Sequence, residues 1–143
     1  AFQPSLRLQS TPARLSVLVI EDNEDAAATL RDVLALDGHD VRIASDGPAG
    51  VEAALAERPD VVLCDIGLPG ADGYEVAKRI RAAGPPPLLV ALTGYATPED
   101  GERARDAGFD AHLAKPPDLA RLAAILSDAR RARPPAGSPS AGE

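Results

Sequence analysis

Five short, apolar-rich runs punctuate the chain, and each is followed by a stretch whose apolar residues recur at helical spacing. The clearest is Val61-Val62-Leu63-Cys64-Asp65, preceded by Pro59 and followed by Gly67, Pro69 and Gly70. An unbroken apolar run of this length, bounded by turn residues, predicts a strand buried on both faces, as in a parallel sheet. Similar strands are predicted over Leu15 to Ile20, Val41 to Ala44, Leu88 to Leu92 and Ala111 to Ala114.

Helices are predicted between and after these strands. Ala27, Leu30, Val33 and Leu34 form one face of Ala26 to Leu36, with a possible cap in Glu21-Asp22-Asn23 and a stop at Asp37-Gly38. Pro48 to Ala56 begins with proline, which suits a first helical turn. Asp72 to Arg81 puts Tyr74, Val76, Ala77 and Ile80 on one side. Thr97-Pro98-Glu99-Asp100 is a helix start with cap, proline and acids in order, and Gly108 ends that helix after Ala107. Leu119 to Ala129 is the last helix.

Strands alternating with helices over short connections, with right-handed crossovers, imply an α/β domain: a doubly wound parallel sheet covered on both faces. The strand order is not readable from periodicity. Parallel strands all end on one edge, however, so the polar residues closing them converge there: Glu21 and Asp22, Asp65, Thr93 and Lys115. Carboxylates brought together repel, and either protonation or a hard cation relieves them. Oxygen ligands suit Mg²⁺, and a Lys and a Thr hydroxyl opposite them can hold a phosphoryl oxygen. The set describes a carboxylate, Asp65, that accepts a phosphoryl group.

Composition narrows the alternatives. The 143 residues suffice for one domain, 45% of them apolar but only 3% aromatic, so aliphatic residues fill the core and base-stacking platforms are not expected. Net charge is −7 and uneven: the first 16 residues carry +2, the last 14 carry +2, and those between carry −11. An acidic body argues against nucleic-acid binding. Cys64, the single cysteine, reads as a buried core residue in a reducing, cytoplasmic setting. No apolar stretch approaches the ~20 residues of a membrane span. Residues 1–14 read as a linker or upstream remnant, with Phe2, Leu6 and Leu8 as a possible strand. Residues 15–130 form the domain, and residues 131–143, rich in Pro, Gly, Ser and Ala, read as a disordered tail. His39, after Asp37-Gly38, is expected to be a solvated loop residue.

Four fragments resemble the response regulator receiver domain of bacterial two-component systems: Val17-Leu18-Val19-Ile20-Glu21-Asp22-Asn23; Asp65-Ile66-Gly67-Leu68-Pro69 with Asp72-Gly73; Ala91-Leu92-Thr93-Gly94; and Ala107-Gly108-Phe109 followed by Lys115-Pro116. The resemblance implies a (βα)5 flavodoxin-like sheet of order 2-1-3-4-5 with the site between strands one and three. It implies that Asp65 takes a phosphoryl group from a phosphohistidine on a histidine kinase or histidine phosphotransfer domain. It also implies that Glu21, Asp22, Asp65 and the Gly67 carbonyl hold Mg²⁺, that Lys115 and Thr93 contact the phosphoryl oxygens, and that Lys115-Pro116 is cis. The domain would then act as a switch rather than an enzyme.

Departures from the pattern are Glu21 where Asp is commonest, Pro117 where Phe is frequent, and His112 where an aromatic usually swings as a switch with the threonine. Gly67 and Tyr95, two residues past Asp65 and Thr93, are expected to set phosphoryl lifetime through water access. Two other functions compete. An aspartyl-phosphate hydrolase would carry a second acid two residues after the nucleophile, where Gly67 stands; a degenerate receiver used only for docking would not need the complete acid, Thr and Lys set. The start at Ala1, the Pro-interrupted leader and the polar ending favour the receiver of a hybrid sensor histidine kinase, this domain being the cytoplasmic portion of a parent that such kinases anchor in the membrane elsewhere.

Overall fold

The computed structural model describes residues 14–68, 72–94 and 97–132. The expectations placed on Phe2, Leu6 and Leu8, on Pro69 and Gly70, on Tyr95 and on Pro134 to Glu143 lie outside the described residues. Strand β1 (Ser16–Ile20) is followed by α1 (Glu24–Leu36), β2 (Asp40–Ala44), α2 (Gly47–Glu57), β3 (Val61–Asp65), α3 (Gly73–Ala82), β4 (Leu88–Thr93), α4 (Pro98–Ala107), β5 (Ala111–Ala114) and α5 (Leu119–Ala132). The strands pair in parallel in the order β2-β1-β3-β4-β5, a flavodoxin-like doubly wound sheet.

Each central strand alternates its apolar side chains between two cores, as the pleat requires. Val17, Val19, Val61, Leu63, Val90 and Leu92 face α1 and α5 through Leu30, Leu34, Leu122 and Leu126. Leu18, Ile20, Val62, Cys64, Leu89 and Ala91 face the other helices through Ala54, Val76, Ala77, Ile80 and Ala104. Val62 and Leu63 are wholly buried, and a leucine or valine so placed contributes about 1.5–3 kcal/mol relative to exposure. Helix α1 therefore lies on one face of the sheet and α2 on the other. The crossovers from β1 and from β3 leave in opposite directions, which opens a crevice between the carboxyl ends of those two strands.

Local chemistry starts the helices where the polar cues stand. Asn23 caps α1 by accepting from the Ala26 N–H, Asp46 caps α2 and Asp72 caps α3. Thr97 and Asp100 form a reciprocal capping box at α4. Gly73 is sterically required: a Cβ there would stand 2.7 Å from the Asp65 carbonyl oxygen and from the Ile66 Cα. The start of α3 thus packs directly on the end of β3, at Asp65 and Ile66.

One expectation is corrected. His39 is buried, 6% exposed, and its Nδ1 accepts the Leu15 N–H at 3.2 Å. The turn after α1 tucks beneath the start of β1, where Asp40 N–H also donates to the Leu15 carbonyl at 2.9 Å. A histidine there closes the open amino end of a strand instead of facing water. Helix α5 also runs three residues past the expected Ala129, to Ala132.

Candidate functional site

The ladder carries the site residues to one rim. Glu21 N–H donates to Ala44 O at 3.0 Å, Ile66 N–H to Leu92 O at 3.0 Å, and Lys115 N–H to Thr93 O at 2.7 Å, so each chain stays in register one residue beyond its strand. Glu21, Asp65 and Thr93 end up buried, while Asp22 points into solvent. Lys115–Pro116 is a cis peptide.

The side chains meet around one ammonium. Lys115 Nζ lies 3.0 Å from Glu21 Oε1 and 3.4 Å from Asp65 Oδ2. Asp65 Oδ1 accepts the Gly67 N–H at 3.2 Å, and Glu21 Oε2 accepts the Asn23 N–H at 3.1 Å. One oxygen from each of Glu21, Asp22 and Asp65 lies within 4.8 Å of the others. Glu21 Oε1 is fully buried and makes no well-angled hydrogen bond, so Lys115 satisfies it only as a nearby charge. Three clustered acids with one ammonium against two of them leave excess negative charge, and a buried carboxylate oxygen without a hydrogen bond fits a hard divalent cation.

Electrostatics follow that crowding. Burial pushes the Glu21 carboxyl above the ordinary glutamate range; Asp65 adds to the rise, and the Asn23 N–H and Lys115 pull against it. Burial alone would lower Lys115, but its 3.0 Å contact with Glu21 and the charges of Asp65 and Glu21 outweigh that and hold the ammonium above its usual value. Burial, then Asp65 and Glu21, push the Cys64 thiol far up, so the neighbour of Asp65 stays a neutral core residue.

A cleft of about 430 Å³ opens over Asp65, lined also by Gly67, Tyr74, Thr93, Arg103 and Lys115. Two of these were not expected there. Tyr74 was assigned to the apolar face of its helix, which is correct, yet it also lines the cleft. Arg103 from α4 sits over that ring, 4.3 Å from its centroid. The Asp72-Gly73-Tyr74 segment, so close in sequence to Asp65, could have suggested the first; nothing local marks the second. His112, opposite Ala91 in the β4–β5 register, does not enter this cleft. Its ring packs under Gly101 of α4, where an added Cβ would come within 3.1 Å of Cε1.

A doubly wound sheet with an acidic cluster and a lysine at its switch point defines a class of domain. The sequence profile of the response regulator receiver domain matches residues 17–127, and the chain belongs to that family. Among curated relatives it is 32% identical to response regulator MprA of Mycolicibacterium vanbaalenii over 126 residues, 85% of this chain and 53% of that protein. It is 35% identical to virulence sensor protein BvgS of Bordetella bronchiseptica over 154 residues, covering 99% of this chain and 12% of that one. The chain thus spans about half the length, or less, of these relatives. Among solved structures it superposes with a TM-score of 0.78 and 26% identity on the complex of the Saccharomyces cerevisiae histidine phosphotransfer protein Ypd1 with the receiver domain of response regulator Ssk1, covering 82% of this chain and 89% of that one.

Proposed function

We propose that this domain accepts a phosphoryl group on Asp65 in a two-component phosphorelay. The observation that carries the reading is the grouping of Glu21, Asp22 and Asp65 within 4.8 Å of one another, with Lys115 against two of them. An Asp65 carboxylate oxygen attacks the phosphorus of a phosphohistidine on the partner. The P–N bond breaks, its electron pair returns to the imidazole, and the ring leaves neutral because its other nitrogen carries the proton. Lys115 holds one phosphoryl oxygen by its ammonium, and the Thr93 hydroxyl donates to another.

Glu21, Asp22, Asp65 and the Gly67 carbonyl would hold Mg²⁺, which supplies charge neutralisation for the acids and for the incoming phosphoryl oxygens. The partner is a histidine kinase or a histidine phosphotransfer protein; the solved Ypd1–Ssk1 complex supports a donor of that kind for this fold. The parent protein is a hybrid sensor histidine kinase with this domain in the cytoplasm. Support for that is the similarity to BvgS, which extends over 99% of the chain against 85% for MprA.

Phosphorylation adds about −1.5 to −2 charges and three acceptor oxygens at Asp65. Thr93 is drawn toward them, and the movement passes to α4 and to β5, where the His112 ring rests on Gly101 and serves as the switch aromatic. Incubation with acetyl phosphate and Mg²⁺, read by intact mass, tests the reading. Wild type should gain one phosphoryl group and Asp65→Asn none; a folded wild type that gains none overturns it in favour of a docking module.

A further inference from the structure

Besides Lys115, the basic residue lining the cleft is Arg103, which has no part in the chemistry above; Asp100 lines the cleft as well. Among the described residues its guanidinium is in no ion pair, although Glu99, Asp100 and Asp106 lie within a turn of it on α4. Asp100 is occupied by the helix cap, accepting the Thr97 N–H. The guanidinium rests instead on the face of Tyr74, a buried ring, at the mouth of the cleft that holds Asp65, Thr93 and Lys115. An exposed cation on an aromatic face is held weakly. A phosphate offers the same guanidinium a bidentate, charge-assisted contact, which is markedly stronger.

We propose that Arg103 is a phosphoryl-binding residue with two positions: parked on Tyr74 while Asp65 is a carboxylate, and engaged with the phosphoryl oxygens once Asp65 carries them. The inference rests on the phosphoacceptor reading and extends it. Lys115 is already in place before the phosphoryl group arrives, bound to Glu21 and Asp65, so it senses little of the change. Arg103 has differential affinity for the two states and sits on α4, so its transfer biases that helix toward the cleft. Tyr74 is then a holding site whose removal frees the guanidinium.

The test is a calorimetric titration of the domain with beryllofluoride, a phosphoryl mimic that binds a carboxylate with Mg²⁺. Arg103→Ala should weaken binding about tenfold, as expected for loss of a hydrogen bond to a charged group, and Arg103→Lys should restore part of it. Arg105→Ala removes the same charge from the same helix, but Arg105 lines the groove beside His112 rather than the cleft, and it should stay within about twofold of wild type. Tyr74→Leu should tighten binding about twofold to fivefold, and should do nothing in the Arg103→Ala background. Opposite signs from two touching residues separate the proposal from simple misfolding. Equal binding by wild type and Arg103→Ala, or equal losses from Arg103→Ala and Arg105→Ala, overturns it while leaving the phosphoacceptor reading intact. Failure of wild type itself to bind beryllofluoride would remove both.

Discussion

The two edges of the sheet use the same residue types to opposite ends. At the amino edge, two acids each take a backbone N–H of a neighbouring strand: Asp60 Oδ2 accepts from Ser16 at 2.8 Å, and Asp110 Oδ2 accepts from Leu89 at 2.8 Å. His39 does the same for Leu15 at 3.2 Å. Those polar side chains finish the sheet, satisfying donors that have no strand partner. At the carboxyl edge, Glu21, Asp22 and Asp65 crowd one another, Lys115 contacts two of them, and a buried carboxylate oxygen is left without a hydrogen bond. A separated acid with a backbone donor is structural, whereas converging acids store repulsion that only a new positive charge or ligand relieves. Under the proposed function, the contrast accounts for one edge that needs no partner and another that would take a cation and a phosphoryl group.

The sharpest attempt to break the comparison is Asp65→Asn, which should abolish the phosphoryl adduct completely while leaving the melting temperature level or raised, because it removes one crowded charge. A lowered melting temperature would mean that the carboxyl edge is structural after all. Lys115→Ala comes next: phosphorylation by acetyl phosphate should slow on the order of a hundredfold, the scale of losing one placed electrostatic group, with Mg²⁺ binding kept. Unchanged kinetics would take Lys115 out of the phosphoryl contacts.

At the other edge, Asp60→Ala or Asp110→Ala should cost about 1–3 kcal/mol in urea unfolding by orphaning a strand N–H, with the phosphorylation half-time unaltered. Slower phosphorylation without loss of stability would reverse the assignment of the edges. The smallest effect is a pH dependence. Glu21 must be ionised to hold Mg²⁺, and burial holds its proton affinity above the ordinary value of 4.5, so protons compete from a higher pH than usual. Mg²⁺ affinity should fall as the pH is lowered, with the decline starting above that value; affinity that stays flat until the ordinary range is reached would show that Glu21 is not a ligand.

Much of this was legible in the residues themselves. Val61 to Asp65 is a strand with the expected bounds, and Thr97 with Asp100 forms the box that its spacing announced. Both are local signals: an apolar run between turn residues, and a side chain that reaches a donor three residues away. The meeting of Glu21, Asp65, Thr93 and Lys115 on one rim was legible too, because parallel strands can end only on a shared edge. The strand order came from resemblance to a family, since periodicity reports which face of a strand is buried and not which strand lies beside it.

The tertiary structure alone decided what depends on distant elements touching. His39 was read as solvated because its neighbours in sequence are turn residues, yet the start of β1 covers it. The seat of His112 under Gly101 and the contact of Arg103 with Tyr74 each join two elements whose crossovers set the distance between them. Sequence determined the elements and the chemistry at their ends, because those follow from short-range periodicity and capping. Which cation parks on which ring, and which carboxylate oxygen is left without a donor, follows only from packing two cores against one twisted sheet, a long-range outcome that no local pattern encodes.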